Sequence, residues 1–134
     1  MIVVDTNLLA CLLLPGGETA VAEQVLKRDP RWAAPLLLRS EFRNVLVGWV
    51  RRGALTLDKA VFTAMEAEGF IRGREYAVPS ADVLELAARS RCTAYDCEFV
   101  ALAHPFGVPL VTSDRQVLAA FPETAVSPEA FVSH

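Results

Sequence analysis

The sequence predicts an α/β fold in layers, with a mostly parallel central sheet flanked by helices. Two observations carry this. Short apolar runs such as Ile2-Val3-Val4 and Leu110-Val111 alternate with longer stretches of helical periodicity along the 134 residues. Asp5 and Asp114 stand where such a run hands over to a helix, at the carboxyl ends of strands, where sheets of this kind hold their ligands.

The elements follow in order. Met1 to Val4 reads as a buried strand, and Thr6 to Leu14 as a helix stopped by Pro15-Gly16-Gly17. Glu18 to Arg28 is a second helix, acidic in its first turn and basic in its last, as the helix dipole favours. Asp29-Pro30 breaks it, and Trp32 to Leu36 forms a strand interrupted by Pro35. Ser40 to Arg52 is the clearest helix: Phe42, Val45, Leu46, Trp49 and Val50 fall on one stripe, and Gly53 suits its C-terminal cap. Glu41 and Asn44 share a neighbouring stripe.

Leu57 to Glu68 is a further helix ending at Gly69, and Glu75 to Val78 is a strand or an extended link. Ser80 caps a helix running to about Arg91. Thr93 opens the next, which reaches about His104 and is closed by Pro105-Phe106-Gly107. Pro109 to Thr112 is a strand, Asp114 to Phe121 a short helix and Thr124 to Val126 a last strand. Ser127-Pro128-Glu129 starts a terminal turn with proline at its first helical position. No repeat, low-complexity tract or linker divides the chain, so residues 1–134 are expected to form one domain.

Composition narrows the function. Hydrophobic residues make up 53% of the chain, which is therefore globular. No apolar run is long enough to span a bilayer, and no charged segment precedes an apolar leader, so a cytoplasmic protein without membrane contact is expected. Three cysteines without C-x-x-C spacing and two histidines, one of them the final His134, argue against a disulfide framework and against zinc. The net charge of −3 is not that of a typical nucleic-acid binder. Yet 11 of the 13 basic residues are arginine, the side chain suited to bidentate phosphate contacts.

Four acids stand out: Asp5, Glu41, Asp96 and Asp114. Each alone reads as an ordinary helix cap or first-turn acid, and Thr93-Ala94-Tyr95-Asp96 matches a capping box. Brought together, they would form a pocket that must either raise its carboxyl pKa values or bind a cation. A hard divalent ion with oxygen ligands is the usual solution, and it brings phosphate chemistry with it.

The four acids and their flanking words form one pattern. Val4-Asp5-Thr6-Asn7, Ser40-Glu41-Phe42-Arg43-Asn44-Val45-Leu46, Tyr95-Asp96-Cys97-Glu98-Phe99-Val100-Ala101-Leu102-Ala103 and Leu110-Val111-Thr112-Ser113-Asp114 occur in that order. In these words the chain resembles the PIN-domain family over nearly its whole length, and most closely the VapC-type toxins of toxin–antitoxin pairs. The resemblance implies a compact PIN-like three-layer α/β fold whose sheet gathers the acids at one edge. It also implies a Mg²⁺-dependent endoribonuclease, with Mn²⁺ as the alternative ion, that leaves a 5′-phosphate and a 3′-hydroxyl. By the same match Asp5 and Asp96 are metal ligands, Glu41 and Asp114 complete the pocket, Thr112 orients a carboxylate or water, and Asn44 steadies the site. Thr6 and Asn7 are weaker candidates that may serve only to cap the first helix. An RNA substrate, a cognate antitoxin and a homodimer are the partners the resemblance implies. Two other readings stay open: a non-catalytic PIN-like scaffold, and a housekeeping nuclease without an antitoxin. Haloacid-dehalogenase-type phosphatases fit poorly, because Asn7 stands where they carry a second aspartate.

Several side features carry expectations of their own. Glu98 should face solvent or an edge of the site, and His104 should contact a helix C-terminus. Arg51, Arg52, Arg72 and Arg74 are expected to cluster at the base of a helical hairpin, with Arg39, Arg43 and Arg115 nearer the acids, to track an RNA backbone. Phe42 and Trp49 belong to the core rather than to a base-stacking platform. The run Leu8, Leu9, Leu12, Leu13 and Leu14 reads as buried packing, although in the resembled toxins comparable surface carries dimer and antitoxin contacts.

Overall fold

A computed structural model describes every residue except Gly17 and His134. The expected part of Gly17 in stopping the first helix therefore lies outside the described residues. The elements run β1 (Ile2–Val4), α1 (Thr6–Leu13), α2 (Thr19–Arg28), β2 (Trp32–Pro35), α3 (Leu37–Arg51), α4 (Leu57–Ile71), β3 (Glu75–Tyr76), α5 (Ser80–Ala88), α6 (Ala94–Phe106), β4 (Leu110–Val111), α7 (Arg115–Ala120), β5 (Ala125–Val126) and α8 (Pro128–Val132).

The five strands form one sheet in the order β3-β2-β1-β4-β5, and every pairing is parallel. β1 occupies the centre, with Val3 opposite Ala33 on one side and Leu110 on the other. Its three residues are buried, as a strand covered on both faces requires. Helix α6 packs on β1, β2 and β4, and its Val100 and Ala103 are buried there. The parallel order places Asp5 after β1 next to Thr112 after β4, so both open over the same edge of the sheet.

Four boundaries differ from the sequence reading. Helix α3 begins at Leu37 because the apolar run after Pro35 continues as a helix: Leu38, Phe42 and Leu46 stack at spacings of four on its buried side. Helix α4 passes through the exposed Gly69, drawn on by the burial of Ile71, and Gly73 supplies the turn at φ 79°. Helix α5 starts at Ser80 rather than being capped by it: Pro79 takes the N-cap position without a side-chain hydrogen bond, and the helix ends at Ala88. Helix α6 carries Pro105 in its last turn and stops at Gly107, whose φ of 65° is left-handed. Glu75–Tyr76 is a strand, and the terminal turn becomes the short helix α8, with Ser127 accepting from the Ala130 N–H.

Leu8, Leu9 and Leu14 are buried, and Leu12 and Leu13 pack against the core. The exposed large apolar side chains lie elsewhere, at Leu57, Val61, Phe62 and Met65 on α4 and at Leu36, Leu84, Tyr95 and Phe106. Phe42 is buried in the core, and the half-buried Trp49 packs on it with the Arg52 guanidinium 5.3 Å from its ring centre.

Candidate active site

Asp5 ends β1 in extended conformation and caps α1: its Oδ1 accepts the Leu8 N–H at 2.9 Å. Its Oδ2 accepts the Thr112 hydroxyl at 2.6 Å, and Thr112 Oγ1 in turn accepts the Asp114 N–H at 3.0 Å. One buried hydroxyl thus joins the ends of β1 and β4. Burial pushes the Asp5 carboxyl up to about 6; the Thr112 and Leu8 hydrogen bonds oppose this, and the negative charges of Asp114 and Glu41 add to it.

Glu41 reaches the same cavity from α3. Its Oε1 accepts the Thr6 hydroxyl at 2.7 Å, which ties α3 to the first turn of α1. Thr6 is buried, so this hydroxyl does more than cap its own helix. Asn44, one turn further along α3, also lines the cavity.

Asp96 sits at the start of α6 in the expected capping box: Thr93 Oγ1 accepts the Asp96 N–H at 3.0 Å, and Asp96 Oδ2 accepts the Thr93 N–H at 3.3 Å. Asp114 caps α7 through Oδ1, which accepts the N–H groups of Gln116 and Val117. The capping readings of Asp5, Asp96 and Asp114 therefore hold, and they coexist with a shared location. All four acids, together with Thr6, Asn7, Ser40, Asn44, Tyr95 and Thr112, line one cavity of about 440 Å³.

Among the described residues, no lysine, arginine or histidine lines that cavity. Burial raises the Asp5 carboxyl there, and the charges of Asp114 and Glu41 add to the shift. Among the described residues, no three His, Cys, Asp or Glu side chains are drawn together into a ready-made metal cage. The donor chemistry nevertheless suits a hard cation: carboxylate, hydroxyl and amide oxygens with no thiolate or imidazole.

The remaining candidates separate from this cavity. Glu98 lies on a second, largely apolar cavity with Leu36, Tyr76, Val83 and Leu84; burial raises its carboxyl, and the charge of Glu41 adds to the shift. His104 is exposed in the last turn of α6, where the helix dipole favours it. Cys92 and Cys97 are buried and Cys11 half-buried, and burial pushes all three thiols up, so they serve packing.

The expected arginine cluster does not form. Arg39, at the start of α3, pairs with Glu68 near the end of α4 at 3.2 Å, so the two helices run antiparallel. Arg51 and Arg52 therefore stand about 22 Å from Arg72 and Arg74, one helix length away. Arg39 also forms a two-pronged pair with Glu75 at 2.7 Å, and Arg74 donates to the carbonyls of Trp32 and Phe70. Both are structural. Arg43 and Arg115 remain exposed beside Asn44 and Asp114 in the chain.

No family model matches the chain. Ribonuclease VapC3 of Pyrobaculum aerophilum is 32% identical to it over 124 residues, spanning 90% of this chain and 95% of the relative. Among solved structures, PAE2754 from Pyrobaculum aerophilum superimposes with a TM-score of 0.79 at 23% identity, covering 98% of this chain and 92% of the other. A toxin–antitoxin complex from Klebsiella pneumoniae gives 0.70 at 20% identity, covering 96% and 98%. FitAcB from Neisseria gonorrhoeae gives 0.69 at 18% identity, covering 96% and 99%. At these identities the structural likeness speaks for the fold.

Proposed function

The chain belongs to the VapC-type ribonucleases of the PIN-domain family, and we propose that its acidic cavity hydrolyses RNA internally with the help of a divalent cation. One observation carries this reading: Asp5, Glu41, Asp96 and Asp114 line a single cavity in which, among the described residues, no basic side chain offsets them.

Mg²⁺, or Mn²⁺ in its place, would supply there the positive charge that a phosphodiester under attack requires, and would acidify the attacking water. The chain's own part is to present oxygens in fixed directions. Asp5 is held through both oxygens, by the Leu8 N–H and the Thr112 hydroxyl, and its remaining lone pairs are left for the ion. Asp96 is held through one oxygen by the Thr93 N–H, and Asp114 through one oxygen by two N–H groups of α7. Thr6 holds Glu41 in the same way. Asp5 and Asp96 would be the ligands, Glu41 and Asp114 would complete the set, and Asn44 would steady the pocket. The site needs no histidine and no attack by the 2′-hydroxyl, and the family resemblance implies that the 3′-oxygen leaves, giving products with 5′-phosphate and 3′-hydroxyl ends.

The protein acts as the toxin of a toxin–antitoxin pair, as a homodimer in the cytoplasm, held silent by a cognate antitoxin. No helix among the described residues is long and apolar enough to cross a membrane. Incubation of the purified protein with single-stranded RNA, with Mg²⁺ or with chelator, tests the activity: internal cuts bearing 5′-phosphates should appear only with the ion. Co-expression with the protein encoded immediately upstream tests the partner, since growth arrest by the nuclease alone should be relieved by an antitoxin.

A further inference from the structure

Of the aromatic residues Tyr95 and Phe99 that line the acidic cavity, Tyr95 is the one that the core does not explain. It occupies the first turn of α6, directly before Asp96, and it lines the acidic cavity while 62% of its surface stays exposed. By contrast, Tyr76 packs on the core with its ring tilted against Phe106 at 5.2 Å between centres, and Phe99 of α6 is buried. An aromatic ring held out at the mouth of a polar cavity gains nothing for folding. The capping box fixes the turn that carries it, so the ring's base is rigid even though its face is open.

The charge of the cavity gives such a ring a task. An RNA strand is anionic, and among the described residues the cavity lining offers four carboxylates and no basic side chain. The side chains that line the cavity offer the strand no ion pair of their own, whereas base stacking on an aromatic face is indifferent to the sign of the surroundings. We propose that Tyr95 stacks on a nucleobase next to the scissile phosphate, so that the enzyme grips an unpaired strand by its base where it cannot grip it by its backbone. The proposal rests on the nuclease reading of the cavity. It names the substrate as single-stranded RNA with an unstacked base at the cut, and it makes Tyr95 a substrate-binding residue.

The test is binding of fluorescein-labelled oligoadenylate and of matched strands carrying one abasic position, measured by anisotropy in the presence of Mg²⁺. The parent protein is the Asp114→Asn variant, in which hydrolysis is slowed; Tyr95→Ala, Tyr95→Phe and Tyr95→Trp are added to it. Tyr95→Ala should weaken binding of the intact strand by at least about five-fold. The slope of log affinity against log salt should stay unchanged, because no ion pair is lost. Phe and Trp should restore the affinity, and at one abasic position the Ala variant and its parent should bind alike. Equal affinity of the Ala variant and parent for the intact strand overturns the proposal while leaving the nuclease reading in place. So does a loss that Phe does not restore, or one accompanied by a change in sedimentation. Absence of any RNA binding by the parent overturns both.

Discussion

Thr112 Oγ1 stands 2.6 Å from Asp5 Oδ2 across 107 residues of chain, and the same oxygen receives the Asp114 N–H at 3.0 Å. The hydroxyl is buried, so water cannot replace it. Thr112→Val keeps the shape and removes both bonds. Urea denaturation should show a loss of about 1–3 kcal/mol, and RNA cleavage should fall with it. Thr112→Ser should recover most of both. A Val variant of unchanged stability would mean that the bond between the two strand ends contributes nothing.

Asp5 makes the ion-free protein sensitive to pH. Its carboxyl is raised from 3.8 to about 6, chiefly by burial, so the folded protein holds this proton more tightly than the unfolded chain does. The contribution is therefore fully present below pH 3.8 and is lost as pH rises through about 6. The penalty at neutral pH is on the order of 3 kcal/mol. Asp5→Asn keeps a side chain that can cap α1 and removes the buried charge. In chelator at pH 7.5 its melting temperature should exceed that of the unmodified protein, and at pH 4 the difference should shrink. Mg²⁺ should raise the melting temperature of the unmodified protein and leave that of Asp5→Asn nearly unchanged.

Arg39 supports the fold, not RNA. It bridges Glu75 and Glu68 at the open end of the α3–α4 hairpin, and its guanidinium holds the Glu75 carboxyl below the usual carboxylate range. That contribution is present above pH 4.5 and fades as pH falls below it. Arg39→Ala should cost about 1 kcal/mol, since the pair is only partly shielded from water, and RNA affinity should keep its salt slope. Arg43→Ala and Arg115→Ala should behave in the opposite way, each lowering the slope by about 0.7 with little change in stability. A reduced slope in Arg39→Ala alone would reverse this assignment.

Thr6 gives a further comparison. Its hydroxyl orients Glu41 across two helices, and Thr6→Val should lower the turnover rate more than it raises KM. Equal effects on the two constants would make Thr6 a binding residue.

These positions show which parts of the site could be read along the chain. Asp5, Asp96 and Asp114 were legible because each is announced locally, by an apolar run or a capping threonine before it and a helix after it. The parallel sheet follows from the same alternation. The partnership of Thr6 with Glu41 was not legible, because it depends on how α1 meets α3, and along the chain Thr6 stands as a lesser site candidate whose other reading is a helix cap. The arginines failed for a related reason. Composition and spacing placed them near helix ends, but the direction of α4 decides that Arg72 and Arg74 lie at the end opposite Arg51 and Arg52. Leu36 to Leu38 misled at the start of α3, since three consecutive leucines suit a strand and a helix equally until the four-residue spacing to Phe42 and Leu46 is counted.

The central claim is that the four acids work as one ion-binding catalytic unit, and single-turnover cleavage of end-labelled RNA by Asp96→Asn, compared with the unmodified protein in Mg²⁺, tests it most directly. Asparagine can keep the cap on α6 while removing the charge, so the fold should persist by circular dichroism. Its rate should be at least about a hundred-fold lower, in line with several kcal/mol of lost charge stabilisation. Cleavage by a folded Asp96→Asn protein at the unmodified rate would contradict the claim.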